Sequence, residues 1–345
     1  RAAASSLPTE DLPAPAIPIN EIEFFTFRAL LLIMLSYILK NSIPDYMKMK
    51  YKILLLLLLS PTLFSATQLF VLGSGTPNPD PNRNGSAYAV VVDGTPYLID
   101  FGPGIIRSAA SLSPPWGGKF EAMTVKNFEH AFLTHIHSDH TAGLADLLLT
   151  PWIMGRENKL NLFGPIGLEK MAGLTLKAFE DDINYRVNGT QPANKTGYKY
   201  SFNLLSEGQV YKDNKIKVEA FKVPHGSFKD AYGFRFTSAD KVILFSGDTG
   251  PSKTLEKYAA GADILVHEVY SHAGFLKKTK DWQKYHKGHH TSTYEVGEIA
   301  SRAKPKLLLL SHILFWGSSP DEILAEARKT YQGELKIAED QMIIE

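Results

Sequence analysis

The chain has no cysteine among its 345 residues. That excludes a disulfide framework and any thiolate metal ligand, so a metal site must be built from imidazole nitrogen and carboxylate oxygen. It also lacks an excess of either charge: 37 basic against 36 acidic side chains give a formal net charge of +1. Proteins that neutralise many phosphates usually carry a larger or more clustered positive excess. Composition therefore lends no support to a nucleic-acid partner, while leaving one open. No internal repeat and no long low-complexity linker divides residues 67–345. What is there is ordinary for a globular protein, 44% hydrophobic and 21% charged, enough for a substantial core.

Residues 47–66 have the layout of an export signal. Met47-Lys48-Met49-Lys50-Tyr51-Lys52 leads into an unbroken apolar run at 53–59, then Ser60-Pro61-Thr62-Leu63-Phe64-Ser65-Ala66. A basic start, a short apolar core and a small-residue end define a secretory signal peptide. The core is too short to span a bilayer comfortably. The expectation is a periplasmic or secreted protein with no stable membrane span once processed. A signal belongs at an N-terminus, so residues 1–46 read as a non-native or disordered extension ahead of a true start at Met47 or Met49. That stretch opens rich in Pro, Ala and Ser and has an apolar segment at 24–39 interrupted by Arg28.

From Thr67 the pattern turns to short apolar runs separated by turns. Strands are expected at 68–72, 87–92, 96–100, 131–134, 160–163, 216–222, 232–236, 242–246, 264–267 and 307–311. Helices are expected at 143–150, 168–182, 253–260, 293–303 and 320–331, the last opening with Ser319-Pro320 as a cap and a first-turn proline. Mixed strands and helices over residues 67–345, with no divider, predict one domain of the α/β class.

The decisive stretch is Leu133-Thr134-His135-Ile136-His137-Ser138-Asp139-His140. Three histidines and an aspartate within six residues are hard to place in a core, where each would need a partner. In extended backbone His135 and His137 would point the same way, with Asp139 and His140 turned towards a second centre. A lone histidine is more often structural; this cluster is not one.

The stretch resembles the His-x-His-x-Asp-His signature of the metallo-β-lactamase superfamily. Other parts of that pattern follow in order: Leu72-Gly73-Ser74-Gly75-Thr76-Pro77, then Asp100-Phe101-Gly102, Val223-Pro224-His225-Gly226 with Tyr232-Gly233-Phe234, Ser246-Gly247-Asp248-Thr249, and Leu310-Ser311-His312. The resemblance implies a four-layer αββα sandwich of the α/β class. It implies two metal ions, zinc first with manganese or iron tolerated, one held by His135, His137 and His225 and the other by Asp139, His140 and His312. Asp248 would bridge them, and Asp100 would brace the metal loop. Such a pair lowers the pKa of a shared water and meets negative charge as it builds on an ester. Asp139 is expected to orient that water as well as ligate. A degenerate member serving only to bind metal is the rival reading, but no expected ligand is missing.

Within the superfamily the branch can be narrowed. Thiolate-type β-lactamases need a cysteine, and those without thiolate usually lack a carboxylate where Asp248 stands. Glyoxalase-type thioesterases share all seven ligands. Val266-His267-Glu268-Val269 and His289-His290-Thr291 look like the paired feature of the ribonuclease Z-like branch, which implies His290 as proton donor to the leaving oxygen and Glu268 as its orienting partner. His289 competes with His290 on register alone, and His267 is equally well an ordinary strand-end residue. The long arm with which bacterial ribonuclease Z grips tRNA is absent, since only Thr237-Ser238-Ala239-Asp240 follows Phe236 before the next strand. Segments at 150–156, 163–167 and 179–186 look more like arylsulfatase-like members. The Lys277–Lys287 run, five lysines with Trp282 and Tyr285 among them, reads as a basic lip or a solvated loop. The expectation is therefore an exported dinuclear hydrolase of small anionic sulfate or phosphate esters, able to form a homodimer. The alternative is a ribonuclease Z-type tRNA-processing endonuclease or a cyclic-nucleotide phosphodiesterase.

Overall fold

The computed structural model describes residues 67–345. The readings of residues 1–46 as an extension and 47–66 as a leader lie outside the described residues. Among the described residues no helix is long and apolar enough to cross a membrane.

The strands are β1 (Thr67–Gly73), β2 (Ala87–Val92), β3 (Thr95–Ile99), β4 (His130–Phe132), β5 (Leu160–Gly164), β6 (Tyr200–Leu204), β7 (Gly208–Lys212), β8 (Lys217–Lys222), β9 (Tyr232–Thr237), β10 (Val242–Phe245), β11 (Ile264–Tyr270), β12 (Leu307–Leu314), β13 (Glu334–Ile337) and β14 (Ile343–Ile344). They form two seven-stranded mixed sheets, ordered β14-β1-β2-β3-β4-β5-β6 and β13-β12-β11-β10-β9-β8-β7. The helices are α1 (Ile105–Leu112), α2 (Ser138–Thr141), α3 (Leu144–Ile153), α4 (Gly167–Ala178), α5 (Glu180–Asn188), α6 (Lys253–Ala259), α7 (His272–Leu276), α8 (Lys280–His289), α9 (Thr293–Ala303) and α10 (Pro320–Ala327).

Alternation along β1 shows how the layers arise. Phe70 and Leu72 face the helix layer containing Ile105, Leu148 and Leu168, while Leu69 and Val71 face the other sheet, against a core with Phe132, Phe234 and Val266. A strand buried on both faces must be apolar throughout, as this one is. The second sheet sends Leu244, Leu265 and Leu308 to the opposite helix layer, where they meet Leu255, Ile299 and Ile323. The result is the expected αββα sandwich.

Several local expectations change. The helix expected at 168–182 is two, α4 and α5, because Glu180, Asp181 and Asp182 form an acidic first turn that suits a new helix start. The helix expected at 320–331 stops at Ala327, and that at 143–150 runs on to Ile153. The strand expected at 131–134 ends at Phe132, and His135 and His137 lie, as expected, in the loop beyond a strand's carboxyl end. Asp139 and His140 lie on the single turn of α2. Helices α1, α2, α7 and α8 and strands β6, β7, β13 and β14 fall outside the expected elements.

Helix α3, which follows the metal loop directly, contains Pro151. Proline has no amide hydrogen, so the Leu147 carbonyl one turn earlier loses its helical partner. Arg156 replaces it. Its Nη1 donates to Leu147 O at 3.1 Å and Phe128 O at 3.2 Å, and its Nη2 to Leu148 O at 2.8 Å and Gly197 O at 2.9 Å. The side chain is 1% exposed. Burial pulls the guanidinium down to about 10, still charged at neutral pH. Replacing it with an apolar chain strands several carbonyls, each costing about 1–3 kcal/mol. Arg156→Met is expected to lower stability by roughly 3–5 kcal/mol in urea unfolding. An unchanged midpoint would reject this account of α3.

Candidate metal centre

The expected ligands meet at one end of the two sheets. Asp100 follows β3, the loop carrying His135 to His140 follows β4, and Asp248 follows β10, while His312 lies within β12. β3 and β4 run parallel, as do β10, β11 and β12. Ligand sites in such sheets collect beyond the carboxyl ends of the strands. His225 comes from the loop after β8, and His290 stands immediately after α8.

Two backbone devices aim these groups. A Cβ on Gly102 would come within 2.2 Å of Asp139 O and 2.4 Å of the Gly85 carbonyl carbon, so only glycine lets the metal loop rest this closely on the turn after Asp100. In β12 the pairing passes from Glu268↔Ser311 to Val269↔Ile313, leaving His312 as an extra residue at φ 46°. A bulge of this kind re-aims a side chain, here into the site.

Hydrogen bonds behind the rings set their tautomers. Asp100 accepts from Thr134 N–H at 2.8 Å and, through Oδ2, from His140 Nδ1–H at 2.7 Å. Thr134 Oγ1 donates to Asp100 at 3.0 Å and so receives His135 Nδ1–H, also at 3.0 Å. His225 Nδ1–H donates to His289 O at 2.8 Å. In each case Nδ1 is committed and the Nε2 lone pair points inward.

The inward atoms then crowd. His135 Nε2 lies 3.0 Å and His225 Nε2 3.3 Å from the same atom, His137 Nδ1. One hydrogen cannot be aimed well at both, whereas a cation among them satisfies all three. His140 Nε2 and Asp248 Oδ1 are buried without hydrogen-bond partners although 3.5 Å apart. Two groups can hold a metal ion: His135, His137, His225 and Asp248, and Asp139, His140 and His312. Asp248 lies between them, Oδ1 towards His140 and Oδ2 3.8 Å from His135 and 3.5 Å from His312. His312 Nε2 is also 2.9 Å from Asp139 Oδ2. A third group adds His290 to Asp248 and His312. The donors are nitrogen and oxygen only, a set that fits divalent zinc, manganese or iron.

The electrostatics divide the same way. Burial, reinforced by His140, holds His135 well below its ordinary value, and burial against the pull of Asp248 takes His225 to about 4. Burial would also lower His140 and His312, but the surrounding carboxylates raise both. Burial would raise Asp139 and Asp248, but neighbouring histidines hold both below the usual carboxylate range. The carboxylates thus draw positive charge onto His140 and His312, where a cation would take the place of those protons.

Beside the ligands, Glu268 Oε2 faces His290 Nδ1 at 3.2 Å. Thr291 N–H at 2.7 Å and Thr249 N–H at 3.4 Å donate to Glu268 Oε1. Burial and then the Asp248 charge push the Glu268 carboxyl up, and burial takes His290 down to about 4. His289 meets the site through its backbone; its ring stacks on Tyr285 at 4.0 Å. His267 is fully buried, donates Nδ1–H to Glu268 O at 2.6 Å, and does not line the cavity. That cavity, of about 430 Å³, is lined by His137, Asp139, Asp248, His290 and His312 together with Pro77, Asn78, Lys278, Trp282, Tyr285, His286, Leu314 and Trp316. Of the five lysines in the 277–287 run only Lys278 reaches it. Sequence reasoning missed Thr134, His286 and Trp316. A hydroxyl beside the first ligand histidine was a usable signal for Thr134; Trp316 had none.

Asp100→Ala frees the tautomers of His140 and, through Thr134, of His135 without removing a ligand. Metal affinity is expected to fall about 10–100-fold in competition with a chromophoric chelator, with the fold retained by circular dichroism. Unchanged affinity would show that the brace is dispensable.

Comparison with known proteins agrees with this geometry. The profile of the β-lactamase superfamily domain matches residues 95–313. A curated relative named ribonuclease Z, from Mycobacterium bovis, is 28% identical over 282 residues, covering 79% of this chain and 96% of that protein. Another of that name, from Mycobacterium sp. (strain KMS), is 31% identical over 252 residues, covering 72% and 84%. Among solved structures, the metallo-β-lactamase fold protein YhfI from Bacillus subtilis superposes with a TM-score of 0.61 at 19% identity, over 81% of this chain and 100% of that one. Human tRNase Z, short form, gives 0.58 at 21%, over 81% and 98%. With its sandwich, its profile match and its His/Asp clusters, the chain belongs to the metallo-β-lactamase superfamily of metal-dependent hydrolases.

Proposed function

We propose that this protein is a metal-dependent phosphodiesterase of ribonuclease Z type, acting on RNA or nucleotide diesters. The observation that carries the reading is the His290–Glu268 pair, buried at the edge of a two-centre ligand set, in a chain aligned over nearly the whole length of relatives named ribonuclease Z.

The arylsulfatase-like expectation gives way. Those relatives are named for RNA, not for sulfate esters. The segments that suggested sulfatases also have structural roles: Trp152 is 2% exposed and donates Nε1–H to Asn194 O at 2.9 Å, Arg156 serves backbone carbonyls, and Phe179 marks the break between α4 and α5. The missing arm no longer weighs against RNA. β9 and β10 are joined by a tight turn in which Ser238 N–H donates to Lys241 O at 2.9 Å. An alignment of 282 positions that takes in 96% of the Mycobacterium bovis protein leaves little room for a long arm there either.

His135, His137 and His225 would hold one cation and Asp139, His140 and His312 the other, with Asp248 shared. When bound, zinc or a similar ion supplies Lewis acidity and lowers the pKa of water towards neutrality. Asp139 is placed to accept a hydrogen from the attacking water. His290 gives its Nδ1–H to Glu268 and so leaves Nε2 free to take up the proton released as water attacks and to pass it to the departing alkoxide. Glu268, held by two backbone N–H groups, fixes that ring. Within that class, small nucleotide diesters are favoured by the cavity of about 430 Å³, which suits a small molecule better than a folded RNA. The leader-like residues 47–66 support export, which would place such a substrate outside the cytoplasm.

A panel of bis-p-nitrophenyl phosphate, p-nitrophenyl phosphate, p-nitrophenyl sulfate and an RNA with a 3′ trailer separates these readings. Diester or RNA turnover that a chelator abolishes is expected; turnover of the sulfate alone would overturn the proposal. His290→Ala is expected to keep its metal while slowing esters with poor leaving groups about 10²–10⁴-fold, and activated esters less. Equal losses on both would reject the proton-donor role.

A further inference from the structure

One wall of the cavity has no part in that chemistry. Along α8, Trp282, Tyr285, His286 and His289 stand at i, i+3, i+4 and i+7, a single stripe of rings. Such a stripe is normally buried against a core. Here Trp282 is 55% and Tyr285 39% exposed, and both line the cavity that holds the ligand cluster. The rings brace one another: Trp282 stacks on His286 at 5.4 Å and 21°, Tyr285 on His289 at 4.0 Å and 21°. His286 meets Trp316 at 4.4 Å.

Trp316 is a second, independent observation. It has φ 46°, a conformation costly for a bulky residue and one that persists where its surroundings enforce it. Gly274 makes room for it, since a Cβ there would lie 2.8 Å from Trp316 Cβ. Lys278 Nζ sits 4.7 Å over its ring. An indole on a strained backbone, a cation and two exposed aromatic rings thus share one cavity with the cluster that would meet a phosphate.

We propose that Trp282, Tyr285 and Trp316 form a stacking subsite for a planar aromatic group attached to the scissile phosphate, with Lys278 receiving a nearby anionic oxygen. The subsite rests on the phosphodiesterase reading and gives it a substrate class: nucleoside or aryl phosphodiesters rather than alkyl ones. Any base offers a π-face, so it selects aromaticity, not sequence. Volume is consistent with this, about 430 Å³ being within the range of small-molecule sites.

The test uses the full chain. Calorimetry on chelator-treated protein is expected to show AMP and phenyl phosphate binding, with ribose 5-phosphate about tenfold weaker or undetected. Trp282→Ala and Tyr285→Ala should each erase that difference, and Trp282→Phe should restore most of it. On metal-loaded enzyme, the preference for thymidine 5′-(p-nitrophenyl phosphate) over methyl p-nitrophenyl phosphate should fall about tenfold in the alanine variants, chiefly through KM. That result places the nucleobase on the wall. Equal KM increases for both esters would instead place the nitrophenyl group there. Diester turnover with aromatic discrimination untouched in every variant would sink the subsite while leaving the phosphodiesterase reading intact. Aromatic binding without diester turnover would do the reverse.

Discussion

Three carboxylates, those of Asp100, Asp139 and Asp248, are buried among five imidazoles at the ends of two sheets, and the rest of the architecture answers to that concentration of charge. Removing such groups from water costs several kcal/mol each unless they are closely paired. Asp100 is compensated within the protein, by Thr134 and by the Nδ1–H of His140. Asp248 is not fully compensated, since its Oδ1 and the neighbouring His140 Nε2 are buried without a partner. A cation completes what the protein leaves unpaired. Glycine at 102, the bulge in β12 and the tight loop after β4 bring backbone close enough for this to happen.

The site was legible because its residues make no sense elsewhere. His135, His137, Asp139 and His140 in six positions have no ordinary core partner, and spacing alone exposed them. The loop beyond a strand end was legible too, although the strand stops two residues early at Phe132 and a single helical turn carries Asp139 and His140. The bulge at His312 left no trace in sequence, because an extra residue in a strand is visible only when its partner strand is known.

The fold's layers were legible in the strands buried on both faces, β1 and β2 above all. The weak elements were not. β6 and β7 are half-exposed edge strands without clean alternation, and β14 pairs through only two residues. α8 escaped notice for a chemical reason: its inward stripe is Trp, Tyr and His set among lysines, which reads as a charged surface rather than an apolar face. Substrate class failed in a related way. The segment at 150–156 resembled arylsulfatase-like members, yet its Arg156 serves carbonyls of α3 and its Trp152 ties that helix to Asn194.

The ligands do not come from one half of the molecule. His135, His137, Asp139 and His140 hang from the first sheet, whereas His225, Asp248 and His312 hang from the second. Each ion would therefore be a rivet through both leaves of the sandwich, since neither group is complete on one leaf. Anything that binds only the assembled form stabilises it. Loss of metal would consequently be felt far from the chemistry, as a loosening of the two leaves against each other, so that the same atoms serve as reagent and as fastener.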